Sequence, residues 1–560
     1  MRVDDASASA PDAATGAASV QAGAAGAQAA PAAGRGRSRV RLLAESLTVL
    51  VLGLLVLVVH DVGYLLGAPF WTDESWVAVT TRFPLSQLPV TTSSTPIGWS
   101  ALLRLFPAGG QASRLLPLAF AGAAVMIAYW LARRLGWRSA PAAVAAGLLA
   151  GIGVLLIPAM LVRDDLKQYT ADAATALLIL ALTSELERGW ARRRLAALSV
   201  AAWGGMLVSH TTAFVAVAAF LAVCVVQLAR RAWRRLAEAA VTGAGTAVLM
   251  AAVYAVFDAR AVVPGLTTYW QDFYLPLSRG LHASASFVTA QFERTHAFFG
   301  LGPAWLAIPL VVAGLVTIFR LGRPATAVAI AVLWPEMLAL SALKKYPFLD
   351  LRTSTFLLAV TVVVPAIGVA GVASLLAGWL RAGLPGRAGQ VAAGLAGGGV
   401  IAAAVAGFAV GAQPYARSHQ IPVEDVRDQA RYVAAHAGPA DVIVVNLNSN
   451  WGFAYYWRRG QPGRRPDNAV LQRYEAYFPG QPRIVVARSR DRAGVDAALT
   501  RALALARPGS CARIWLVRAH LNPAERAAWG DALRQDQLFR FSRLIGTDGL
   551  RVVRPGGSRC

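Results

Sequence analysis

Three clusters of ionisable residues stand apart from the other charges in this chain. Asp73 and Glu74 lie between Trp71 and Trp76. Arg163, Asp164, Asp165 and Lys167 come just before Tyr169 and Asp172, and Lys344 and Lys345 come before Tyr346, Asp350 and Arg352. A carboxylate near a low-dielectric boundary can have a raised pKa and accept a proton. Lysine meets a phosphate as a point charge and arginine meets it bidentately. Together the clusters predict a proton-accepting acid working beside a bound phosphate. Each cluster alone has a plainer reading: a solvated acid pair, or salt bridges that pin a helix end. His210 between two apolar segments, and Glu336 beside Pro335 inside another, join the candidate set; an acid at that depth needs a partner or a water-filled cavity.

Roughly eleven apolar segments long enough to cross a bilayer must position these groups. They fall near residues 42–66, 112–132, 139–159, 171–186, 194–208, 212–229, 239–257, 301–319, 325–343, 354–379 and 390–411. With 56% hydrophobic residues and a mean hydropathy of +0.49, the composition is that of a polytopic membrane protein and excludes an ordinary soluble enzyme. The formal net charge of +24 would suggest nucleic acid in a soluble chain. Here arginine-rich short connections, such as Arg192–Arg194 and Arg230 with Arg231, mark the cytoplasmic side instead. An inside N-terminus puts those connections in the cytoplasm. The acids, His210 and all three lysines (Lys167, Lys344 and Lys345) then lie on the outer face.

The fold expected is an all-α polytopic membrane domain followed by a small extracytoplasmic α/β domain. Residues 1–38 read as a disordered cytoplasmic tail rich in Ala, Gly and Pro. Residues 39–411 form the multi-spanning domain, with long outer loops at 67–111 and 258–300, and residues 412–560 form the α/β domain. The aromatics of the second loop, Tyr269, Trp270, Phe273, Tyr274, Phe292, Phe298 and Phe299, suit an interfacial belt, or stacking on a sugar or lipid. The α/β domain alternates helix (Val423–Ala437), strand (Asp441–Asn446), strand (Arg483–Val486), helix (Asp491–Leu505), strand (Arg513–Val517) and helix (Pro523–Gln535), which predicts a mostly parallel sheet. Leu447-Asn448-Ser449-Asn450 after the first strand lacks the glycines of a dinucleotide site. Cys511 and Cys560 could be bridged outside the cell or remain separate thiols.

The chain resembles bacterial members of the GT-C superfamily, membrane glycosyltransferases that use polyprenyl-phosphate sugars. It is similar to the branch with protein O-mannosyltransferases and the lipid A aminoarabinose transferase. The resemblance rests on Trp71-Thr72-Asp73-Glu74, on Ser113-Arg114-Leu115-Leu116-Pro117, on the stretch from Arg163 to Asp172, and on Tyr346-Pro347-Phe348 with Arg352. It covers about residues 42–411. The resemblance implies that Asp73, supported by Glu74, is the acid near the acceptor. It gives the donor phosphate to Lys167, Lys344, Lys345, Arg352 and Arg163. Asp165, Tyr169, Asp172, His210, Glu336 and Tyr346 then line a substrate pocket. Where relatives often carry His-Pro, this chain has Thr95-Pro96, which bears on acceptor recognition. Superfamily members differ in metal use, so no cofactor is required and a divalent ion at Asp73 and Glu74 stays open.

The partners expected are a polyprenyl-phosphate-linked sugar, a cell-envelope glycan, lipid or protein acceptor, and membrane lipid, with no nucleic acid. The location expected is the cytoplasmic membrane. A lipid or solute transporter or flippase is the alternative, although such folds are built from internal repeats with broken helices and none is visible here. An anchor that only displays the C-terminal domain, or a ligase using a diphosphate-linked donor, are further readings.

Overall fold

The computed structural model describes residues 33–88, 95–107, 110–158, 160, 166–261, 269–296, 304–418, 424–457, 463–464, 476–478, 480–506, 511–535, 543–545 and 549–554. The tail expected at 1–38 therefore lies almost wholly outside the described residues, as do Arg163, Asp164, Asp165, Phe298, Phe299 and Cys560. The chain divides into two compact units, Met1–Leu50 and Val51–Cys560. Apart from the start of α1, all that follows concerns the second.

Every apolar segment read from the sequence is a helix. α1 is Ala33–Val59; α2 (Val62–Gly67), α3 (Thr72–Thr80) and α4 (Ile97–Leu103) occupy the loop after it. Then come α5 (Leu115–Arg133), α6 (Ala140–Leu156), α7 (Tyr169–Arg188), α8 (Arg192–Met206), α9 (Thr212–Ala229) and α10 (Trp233–Val256). α11 (Leu281–His296) belongs to the second long loop, before α12 (Ala304–Arg320), α13 (Pro324–Ala342), α14 (Thr355–Gly383) and α15 (Gly386–Ser418). Among the described residues, 6 helices are long and apolar enough to cross a membrane by length and composition, and three more apolar helices are shorter. The chain is a multi-pass membrane protein.

α14 is the axis of the bundle: almost every residue from Thr355 to Gly371 is buried, so it is apolar all round rather than on one stripe. It packs on α6, α7, α12 and α15. Where it crosses α12, a Cβ on Gly314 would strike the Val364 carbonyl, and one on Gly368 would strike the Leu310 carbonyl. Close backbone approach through small residues is how helices associate where the surrounding lipid removes a hydrophobic drive between them.

The arginine-rich connections gather at one end of the bundle. Glu187, at the end of α7, accepts from the Ala325 and Thr326 amides at 2.7 and 3.0 Å and so caps α13. Arg192 pairs with Glu238 at 3.0 Å beside it. The acid and lysine clusters belong to the other ends of the same helices.

The C-terminal segment is α/β, as expected. α16 (Val426–His436) leads into β1 (Val442–Val445), α17 (Asn450–Tyr456), β2 (Gly463–Arg464), β3 (Ala476–Tyr477), β4 (Ile484–Val486), α18 (Arg492–Ala506), β5 (Ile514–Val517), α19 (Pro523–Gln535), β6 (Arg543–Ile545) and β7 (Leu550–Val553). The main sheet runs β4-β1-β5-β7-β6. β1 is parallel to β4 and β5, with Val444 opposite Val485 and Leu516, whereas β7 is antiparallel to β5 and β6. The parallel half was expected; the antiparallel edge and α17 were not. α15 continues to Ser418, past the boundary expected at 411. Cys511 is disulfide-bonded and Cys224 is a free thiol.

Candidate active site

Asp73 lies in the first turn of α3, a helix that starts at Thr72 after an extended Trp71. Its Oδ2 accepts from Lys167 Nζ at 3.2 Å and from the Arg352 guanidinium. The three side chains are 18%, 8% and 15% exposed, so they sit at the wall of the cavity and not in bulk water. Each cation also lies over an indole: Lys167 is 5.3 Å from the Trp76 ring centroid, and Arg352 is 5.5 Å from that of Trp71. Burial pulls the Arg352 guanidinium down to about 10, which leaves it charged at neutral pH.

Local structure holds each cation in place. The Trp99 indole, fully buried on α4, donates to the Leu166 carbonyl at 2.7 Å and so fixes the residue next to Lys167. Gly98 lets α4 press against Leu207 at the end of α8, because a Cβ there would meet the Leu207 carbonyl oxygen at 2.5 Å. Asp350 Oδ2 accepts from the amides of Arg352 and Thr353 at 2.9 and 2.8 Å, which closes the turn that presents Arg352. The Tyr346 hydroxyl donates to the Thr353 carbonyl at 2.7 Å, and burial holds that phenol well above its usual range.

Glu74 faces elsewhere, and here the paired-acid expectation is corrected. Its carboxylate is fully buried against Arg114, whose Nε donates to Oε1 at 2.7 Å. The same guanidinium also donates to the carbonyls of Leu65 and Ala68 at 2.6 and 2.8 Å. The Trp71-Thr72-Asp73-Glu74 and Ser113–Pro117 motifs therefore meet as a structural pair that ties α3 to the start of α5. The two neighbouring carboxylates do not converge, so they do not fit a divalent ion held between them. No group of three His, Cys, Asp or Glu suited to a metal occurs among the described residues either.

A cavity of about 1230 Å³ joins most of the expected residues. Asp73, Lys167, Tyr169, Asp172, His210, Lys344, Lys345, Tyr346 and Arg352 all line it. Glu336 does not: it lies on α13 away from the cavity, with Oε2 buried and unpartnered. Arg163 and Asp165 lie outside the described residues. Lower in the cavity the wall is apolar, from Phe220 and Val217 on α9 and from Gly243, Ala247, Met250 and Ala251 on α10. Tyr269, Trp270 and Tyr274 of the second loop also line it, while Phe292 stacks on Trp334 at 5.1 Å instead.

Two groups escaped the sequence reading. Asp258 lines the cavity, with its Oδ1 3.3 Å from His210 Nε2. The C-terminal segment supplies a roof: Asn448, Asn450, Trp451, Arg490 and His520. Arg490 donates to Asn448 Oδ1 at 2.8 Å, and His520 Nδ1 is 2.6 Å from Glu424 Oε1. The hydrogen bond that His520 makes to the Glu424 carboxylate raises the His520 pKa above its usual value. The roof is bolted to the first loop: the Phe70 amide donates to the Tyr456 hydroxyl at 2.8 Å, and Arg82 to the Ala454 carbonyl at 2.7 Å. Thr72, next to Asp73, donates to the Asn448 carbonyl at 2.5 Å.

Among solved structures, ArnT from Cupriavidus metallidurans in the apo state matches with a TM-score of 0.52 at 17% identity, over 91% of this chain and 98% of that one. The chain shares the fold of that structure. Two Archaeoglobus fulgidus oligosaccharyltransferase structures also match, over 91% of this chain. One, in complex with Zn and sulfate, has a TM-score of 0.49, 13% identity and 73% of its own chain covered. The other, AglB with an inhibitory peptide and a dolichol-phosphate, has a TM-score of 0.47, 12% identity and 74% covered. No family model matches the sequence, and neither does a curated protein. Of the motifs that carried the resemblance, Trp71-Thr72-Asp73, the Lys167–Asp172 stretch and Tyr346-Pro347 with Arg352 reach one cavity, whereas Ser113–Pro117 stands behind it through the Arg114–Glu74 pair.

Proposed function

We propose that the protein is a membrane glycosyltransferase that moves a sugar from a polyprenyl-phosphate donor to an acceptor hydroxyl at the outer face of the cytoplasmic membrane. The observation that carries this reading is the convergence of Asp73 with Lys167, Lys344, Lys345 and Arg352 on one cavity whose lower wall is apolar. A headgroup with negative charge and a hydrocarbon tail suits such a cavity. Nucleotide sugars are absent outside the cell, so an activated sugar has to arrive on a lipid. An inside N-terminus and an extracytoplasmic C-terminal segment fit the arginine-rich connections at the opposite end of the helices.

In the reaction an acceptor oxygen attacks the anomeric carbon, forming a C–O bond as the bond to the phosphate oxygen breaks and inverting that centre. Asp73 takes the acceptor proton, and the lysines and arginine stabilise the charge that collects on the leaving phosphate. Tyr169, Asp172 and His210 face the sugar, and the roof faces the acceptor. A flippase needs no proton acceptor at Asp73 and forms no glycosidic bond, so an assay of transfer separates it from this reading. The test is transfer from a lipid-linked sugar in reconstituted membranes, comparing wild type with Lys345→Ala and Arg352→Ala. Loss of transfer in both is expected; full transfer in both would refute the assignment.

A further inference from the structure

The two cations best placed for the donor phosphate are already spent on Asp73. Lys167 and Arg352 both donate to the same oxygen, Oδ2. A carboxylate held by two cations is a weak base, because each cation favours its charged form. Granting the transferase reading above, we infer that Lys167 and Arg352 are shared in turn between Asp73 and the donor phosphate, so that donor binding releases the base. Three further facts support the exchange. Arg352 Nε is buried without a hydrogen-bond partner, so this guanidinium has a donor left for an incoming oxygen. Lys344 and Lys345 are exposed, line the same cavity, and can hold the phosphate as it arrives. The Trp76 and Trp71 faces keep Lys167 and Arg352 in place once the carboxylate lets go.

The charges balance through the step. Before transfer, two cations face one carboxylate and one phosphodiester, each carrying a single negative charge. The acceptor proton then neutralises Asp73, and the electron pair of the broken C–O bond leaves a phosphate monoester with a second negative charge. The same two cations now face that dianion alone. Nothing has to enter or leave the pocket except the acceptor and the products, and chemistry on an acceptor waits for the donor.

The test is binding of farnesyl phosphate, a short lipid phosphate, to the full-length protein in nanodiscs. Farnesol and inorganic phosphate are the controls. Asp73→Asn removes the competing charge and keeps the shape; it should bind farnesyl phosphate roughly tenfold tighter than wild type, a difference of about 1.4 kcal/mol. Asp73→Ala should do the same, which guards against one variant folding poorly. Arg352→Ala should bind it more weakly, and farnesol should bind all four proteins alike. Equal or weaker binding in both Asp73 variants, with Arg352→Ala still weakened, would overturn the exchange and leave the transferase reading standing. If Arg352→Ala binds like wild type, or if inorganic phosphate competes as well as the lipid, the phosphate is not a donor headgroup at these cations, and both ideas fall together.

Discussion

Asp73 and Glu74 are neighbours of the same chemical type with opposite surroundings. Asp73 meets the cavity, and Glu74 is shut in with Arg114. Their substitutions should therefore fail in different ways. Asp73→Asn should reduce transfer about 10²–10⁴-fold, the usual contribution of a general base, with little change in melting temperature. Glu74→Ala should instead leave a fully buried guanidinium without its counter-charge, at about 3–5 kcal/mol of stability, seen as a large fall in melting temperature. An inactive but stable Glu74 variant would contradict this division. The sequence showed both acids but not which one was buried, because that depends on Arg114, forty positions away, and on the carbonyls of Leu65 and Ala68. That Lys167, Lys344 and Lys345 belong together at one cavity was legible because lysine is absent from the arginine-rich connections. Arg490 and His520 were not, since nothing local distinguishes them from other polar residues of an arginine-rich domain.

At the level of elements, the helices were legible and their contacts were not. Continuous apolar length locates α5 to α10 and α12 to α15 without knowledge of partners. The short α17 is too brief for a helical period to register, and the antiparallel edge strands β6 and β7 are no longer than four residues. The turn at Asp350 shows how an element serves the site. Asp350→Ala frees the amides of Arg352 and Thr353 and lets the guanidinium wander. Its expected signature is a lower kcat/KM through a raised KM for the lipid donor, partly rescued by Asp350→Asn. An unchanged KM would show that Arg352 needs no such support. In the bundle, Gly368→Val should separate α14 from α12 and cost about 1–3 kcal/mol through overpacking.

On the scale of the whole molecule, the C-terminal segment closes the cavity that the helices open. The segment contains a titratable contact of its own, His520 with Glu424, directly beside Trp71: the His520 and Trp71 rings are 6.3 Å apart. The folded pKa of His520 is raised, so the contact stabilises the fold fully below the unfolded value near 6.5 and loses that effect as pH rises through the folded value. Melting temperature should therefore decline as pH rises above about 6.5 in wild type, and His520→Gln should flatten that part of the profile. A slope unaffected by the substitution would assign it to other groups. The central claim, that one pocket joins a proton-accepting acid to cations that bind a lipid phosphate, is tested most directly by a cryo-EM structure with a polyprenyl phosphate bound. The phosphate should lie within hydrogen-bond distance of Arg352 and of Lys344 or Lys345, with its chain running down the apolar wall of α9 and α10 and Asp73 beside it. A headgroup resting anywhere that Asp73 cannot reach would contradict the account.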